Sequence, residues 1–294
     1  MRSKLSIIVV ILIFLLGLGI TLYPSFSNWL AVQNQMKDIQ TMENKVEEMS
    51  QEECERIRQE ANVYNQALRG ENIQDPFIPG SGIVLPDNYN DIMDLGEGVM
   101  AEIIIPSIDV DLPIYHGTEE ETLRKGAGHL KQTAFPVGGE GTHCVISGHT
   151  GLPSARLFTD LNQLKMGDTF YVKSLNETLA YEVEQISVVE PNDTTKLKPE
   201  TGKDYLTMIT CTPYGVNSHR LLVRGVRIPY TPEAEEEGSR TIINIINLQA
   251  VSWVYVAVAI GAVVLVIVIL LVIIFRKEKK KSKEQTDRRN ENED

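Results

Sequence analysis

The strongest constraint in this sequence is a pair of apolar runs that bracket a polar middle. Leu5 to Tyr23 is almost wholly apolar and follows Arg2 and Lys4. Val251 to Phe275 is unbroken and is followed at once by Arg276-Lys-Glu-Lys-Lys-Lys-Ser-Lys283. A helix of about 20 apolar residues crosses a bilayer, and Lys/Arg-rich flanks stay on the cytoplasmic side. The expectation is a cell-membrane protein with two spans, both termini cytoplasmic and the middle outside. The first run also has the outline of a signal peptide. It is longer than a signal core, however, and Tyr23-Pro-Ser-Phe-Ser-Asn-Trp-Leu30 is a poor cleavage site, so a retained anchor is the better reading.

The formal charge is −12. Both flanks are net basic, so the acidity lies in the outer part, which argues against a nucleic-acid partner. The three cysteines, Cys54, Cys144 and Cys211, are too few for a disulfide framework. No C-x-x-C and no His pair at ligand spacing occurs, so no zinc site is expected; no cofactor is expected either.

Composition divides the chain into an anchor (1–24), a helical region (25–70), a long loop (71–98), a strand-rich domain (99–230), an acidic juxtamembrane linker (231–250), the second span (251–275) and a charged tail (276–294). Asn28 to Leu68 is rich in helix formers without Gly or Pro. It reads as one long helix or two in tandem, with Val46, Met49, Ile57, Val63, Tyr64 and Leu68 at loose helical spacing. The Pro, Gly, Asn and Asp of 71–98 make a loop whose length suggests function or disorder. Strand patterns follow at Val99–Ile105, Val110–Tyr115, Gly141–Ser147, Phe170–Lys173, Ala180–Val189, Tyr205–Cys211 and Arg220–Ile228. Glu119–Lys125 suits a helical turn, and Pro153–Leu164 holds short helical pieces. Seven or eight short strands suggest a closed β-barrel or a sandwich.

Cys211 ends an apolar strand, and Pro213 and Gly215 turn the chain back into a strand carrying Arg220 and Arg224. A thiol is a nucleophile as the thiolate, which nearby positive charge favours; the plain alternative is a buried structural cysteine. A thiol nucleophile needs a proton-transfer partner, usually His. His149 stands between glycines just past a buried strand, where the backbone can turn and present the ring. His219 is the rival, but it neighbours Arg220 on a strand, so the two side chains point to opposite faces. A fixed guanidinium can stabilise an oxyanion; Arg220, nearer the strand start, is better placed than Arg224, which reads as a surface ion pair. No residue that would orient His149 is identifiable.

These residues carry a resemblance. Thr207-Met-Ile-Thr-Cys211 with Arg220 nine residues on resembles the T-L-x-T-C … R signature of sortases, with Met208 in place of the usual Leu, and Ser147-Gly-His-Thr150 resembles their His motif. The Cys211–Gly225 hairpin, the second span and the tripeptide Asp75-Pro76-Phe77 are similar to the pilin-polymerising class C sortases of Gram-positive bacteria. The resemblance covers roughly 99–230.

It implies a mainly β sortase-type barrel with short helices and a transpeptidase on the outer membrane face, whose triad is His149, Cys211 and Arg220. Cys211 would attack the Thr–Gly carbonyl of an L-P-x-T-G-type sorting signal on a pilin subunit, and a Lys amine of another pilin would resolve the thioacyl enzyme. Asp75 and Phe77 match the lid of this class, which would cover the Arg and the Cys and hold the free enzyme idle. Without an orienting group for the His, turnover would be slow, which two substrates held at one membrane tolerate. Alternatives are a sortase that attaches proteins to the cell wall, a hydrolytic cysteine peptidase, and a non-enzymatic tethered scaffold with Cys211 in its core.

Overall fold

The computed structural model describes residues 2–68, 77, 88–232, 261 and 276. Asp75, most of the expected lid, the linker beyond Pro232 and all of the second span except Gly261 lie outside the described residues.

Helix α1 spans Arg2–Glu48 and α2 spans Gln51–Ala67. The helical region is therefore two helices in tandem, and the first is continuous with the N-terminal apolar run, passing through Pro24. That apolar part is long and apolar enough to cross a membrane. The seam is Ser50, whose side chain accepts from the Glu53 backbone N–H at 3.1 Å; a Ser followed three residues later by Glu is an N-terminal capping pattern. On α2, Ile57, Ala61 and Tyr64 turn inward, as the period-3.6 pattern requires. Val63, expected among the apolar face, is 63% exposed, because its neighbour Tyr64 occupies the inward position.

Eight strands follow: β1 Val99–Ile105, β2 Val110–His116, β3 Ala127–His129, β4 Thr142–Ser147, β5 Thr169–Ser174, β6 Glu177–Val189, β7 Asp204–Thr212 and β8 His219–Ile228, with the short helix α3 at Glu120–Lys125 between β2 and β3. They close into a barrel in the order β1-β2-β3-β4-β7-β8-β6-β5. Closure leaves no edge strand exposed. Pairs β2–β3 and β4–β7 are parallel and the others antiparallel. The strand missed by pattern is β3, three residues long.

Alternation along the strands sorts the side chains. Cys144 and Ile146 of β4, Leu206 and Met208 of β7, and Leu221 and Val223 of β8 belong to the main core. Val145, Ile209 and Leu222, from the alternate positions, join Leu130, Val189 and Leu197 in a second, smaller cluster. Burial forces Cys144 toward its neutral form and pushes its thiol pKa well up.

The second half of α1 docks on the barrel. Gln35 donates to the Lys125 carbonyl (2.8 Å), Tyr115 donates to Asp38 (2.6 Å) and Lys45 donates to the Asp94 carbonyl (2.8 Å). Residues 88–95 also pack inward rather than continuing the loop: Tyr89, Ile92, Met93 and Leu95 are buried. Tyr89 sits against His129, and its hydroxyl receives the Gly117 N–H at 3.1 Å.

Candidate active site

In the β7–β8 pairing, Cys211 lies directly opposite Arg220. This follows from the tight return through Pro213–Ser218, which sets the register of the two strands. Cys211 is half-exposed, whereas Arg220 is 8% exposed. The guanidinium is held by its own turn: Nη1 donates to the carbonyls of Asn217 and His219, each at 3.3 Å. Both side chains stand on the face of the sheet that carries the smaller apolar cluster, away from the barrel interior.

His149 reaches this place from β4. The last β4–β7 pair is Ser147 with Ile209. Counting on two residues along parallel strands brings His149 level with Cys211. The loop is tied to β7 by the Gly148 N–H to the Ile209 carbonyl (3.1 Å) and by the Thr210 hydroxyl to the Gly148 carbonyl (2.7 Å). The Phe158 N–H holds the His149 carbonyl at 3.1 Å. Glycine is needed at 148 because an added Cβ would lie 2.6 Å from the Phe158 ring. At Gly151 the backbone has φ +75°, and the Tyr214 ring of the β7–β8 turn lies 3.1 Å from where a Cβ would stand. The cysteine turn and the histidine loop thus touch.

Phe77, the described residue of the Asp75-Pro76-Phe77 tripeptide, lies on this same place. Its ring centroid is 4.9 Å from the Arg220 guanidinium carbon and 5.9 Å from the His149 ring. It packs against the smaller cluster. A cation over an aromatic face gains about 0.5–1 kcal/mol at an exposed site and more when desolvated.

The two rivals are placed elsewhere. His219 has its Nε2 3.3 Å from Glu190 and its Nδ1 2.8 Å from the Ser218 hydroxyl. Arg224 lies opposite Thr207, pairs with Glu184 (2.8 Å) and Glu200 (3.3 Å), and covers the Tyr205 ring. One contact was not foreseen: the Glu120 carboxylate of α3 lies 3.2 Å from His149 Nε2. Its sequence carries no signal for this, because the pair is brought together only by the fold. Among the described residues no group of three or more His, Cys, Asp or Glu is arranged to hold a metal.

The sortase domain model matches residues 103–228, from β1 to the end of β8. Sortase C-1 from Actinomyces oris is 51% identical; the match covers 61% of this chain and 99% of that one, with a TM-score of 0.57. The chain belongs to the sortase family. The pilus-related sortase C of group B Streptococcus is 42% identical over 67% of this chain and 98% of that one, with a TM-score of 0.61. Sortase A of Bacillus anthracis is 27% identical over 76% of this chain and 95% of its own length. These two solved neighbours are sortases C, and residues 103–228 contain Cys211, Arg220 and His149.

Proposed function

We propose that this sortase is a membrane-tethered transpeptidase that joins pilin subunits, with Cys211 as nucleophile, His149 as acid and base, and Arg220 as the oxyanion's partner. The Cys211 thiolate attacks the Thr carbonyl of an L-P-x-T-G-type signal. The oxyanion that forms is stabilised by Arg220. The Thr–Gly C–N bond breaks, and His149 gives its proton to the departing amine. A pilin Lys amine then attacks the thioester, the C–S bond breaks, His149 takes the proton, and the thiolate returns with an isopeptide bond made.

One observation carries the reading toward the pilus-forming class. Phe77 lies on Arg220 and beside His149, where a lid residue of that class would sit, and the pilus-related group B relative supports the same class. Phe77, with Asp75, would keep the site covered until a pilin displaces the loop. The basic flanks and apolar runs support two spans with the barrel outside the cell.

The test is mass spectrometry of the full chain mixed with a pilin bearing its sorting signal. The expected result is a pilin thioester on Cys211 that disappears when a second pilin is added and yields a Lys-linked dimer. Discharge only to water would identify a peptidase instead, and no adduct would reject the nucleophile.

A further inference from the structure

The geometry points to Glu120 as the positioning residue of His149, holding Nε2–H and leaving Nδ1 as the ring nitrogen that moves the proton. This rests on the role proposed above for His149.

An ionised carboxylate only accepts hydrogen bonds. With Glu120 Oε2 3.2 Å from Nε2, that nitrogen must carry the hydrogen. The neutral ring is then the Nε2–H tautomer, and its lone pair is on Nδ1. Which nitrogen works as base is set by the bond the other one makes.

Glu120 is itself held. Its second oxygen, Oε1, accepts from Arg124 Nε at 2.8 Å, one helical turn along α3. One oxygen thus faces the helix and the other faces the histidine. Helix α3 is fixed at its far end by Gln35 of α1, which donates to the Lys125 carbonyl, and by the buried Leu123. The carboxylate approaches from the solvent side, 61% exposed against 18% for the His149 side chain, while Phe77 stands against the ring as well. Solvent screens an ion pair so exposed, so little stability comes from it. What it supplies is orientation: a proton-transfer group works only when aimed, and a third group commonly aims the base in nucleophilic sites.

The test uses the full chain in lipid nanodiscs, with a sorting-signal peptide, an amine acceptor and NMR of the histidine ring nitrogens. Glu120→Gln offers His149 either an amide oxygen or an amide N–H, so the tautomer preference is lost. We expect kcat to fall about 10-fold, short of the 10²–10⁴ that a whole acid–base group supplies. KM stays unchanged, the Nε2–H signature of His149 at alkaline pH gives way to a mixture, and Glu120→Asp recovers part of both. Glu121→Gln, the next residue on α3 and paired with Lys125, leaves both readouts at wild type.

Wild-type kcat with unmoved His149 resonances in Glu120→Gln overturns the proposal. So does an equal loss in Glu121→Gln, which would trace the effect to helix charge. A His149→Ala chain as active as wild type overturns the reading of the site itself, and this proposal with it.

Discussion

Cys144 and Cys211 lie on neighbouring parallel strands of one barrel wall and face opposite ways. Cys144 points into the main core, 3% exposed, and burial holds it as a thiol. Cys211 is on the other face, at the strand end, half-exposed and opposite a guanidinium. The histidines divide in the same way. His129 and His143 are buried, each ring nitrogen meeting a hydroxyl or carbonyl, whereas His149 sits on a glycine-flanked loop beside a carboxylate. Chemistry-bearing residue types therefore occur in both places. Strand parity and distance from the strand end decide which of them can meet a substrate.

The difference between the two thiols is tested most directly by truncating each. Cys211→Ala should lower transpeptidation by more than about 10³-fold, as loss of a nucleophile does, with an unchanged thermal midpoint. Cys144→Ala should stay active but lose about 1–2 kcal/mol of stability in a denaturant titration, the cost of trimming a packed core residue. An active Cys211→Ala chain would put the reaction elsewhere.

A smaller effect probes the cover over the outer face. Replacing Phe77 and Asp75 together by Ala should speed labelling of Cys211 by an alkylating reagent by about 10-fold, the change expected if the covered state is favoured by about 1.4 kcal/mol. An unchanged rate would argue that the loop is no lid. Cys144 should remain unlabelled in both chains while they are folded.

The smallest effects belong to the interior. Burial lowers His129 to about 3 and His143 to about 4, from 6.5. Their folded values are depressed, so the folded state is favoured above 6.5 and loses ground as pH falls toward those values. Glu102 of β1 opposes this. Burial, then Asp111, raises it well above its usual 4.5 against the weaker pull of Lys173, so its contribution is present below 4.5 and fades as pH rises through the raised value. Burial raises Glu43, Asp111 and Asp204 as well, so the histidines are read by difference: on acidification from 6.5 to 4.5 the wild-type thermal midpoint should fall further than that of a His143→Gln chain. Glu102→Gln keeps a donor for Asp111 and removes the opposing group, so the fall should steepen and the midpoint at alkaline pH should rise. An equal response of wild type and His143→Gln would mean the buried ring is not held neutral.

Much of the barrel was legible because its strands alternate and end at Pro, Gly or Asn. The strand β3 was not, since Ala127-Gly-His129 is too short to alternate and exists only through its pairing with β2 and β4. The break between α1 and α2 was readable in Ser50 and Glu53, whose spacing is a cap signal. Arg224 was expected in an ion pair and is in one. That His149 comes level with Cys211 was suggested by glycine context and motif, but the level itself depends on parallel register. Glu120 had no trace in the chain, since its value depends on where α3 is docked.

The continuity of α1 has a further consequence. At about 1.5 Å per residue, Asn28 stands only some 7 Å beyond Tyr23, where the apolar stretch ends. Asn28 accepts the Arg156 N–H at 2.8 Å, and Arg156 lies two residues from the Phe158 that grips the histidine loop. In the proposed membrane-tethered enzyme the helix would work as a measuring rod. Under the proposed function, with the apolar half in a bilayer, the site would be set at one fixed, low height, and a substrate still rooted in the same leaflet would arrive within reach, while one drifting free in bulk solution would have no such advantage.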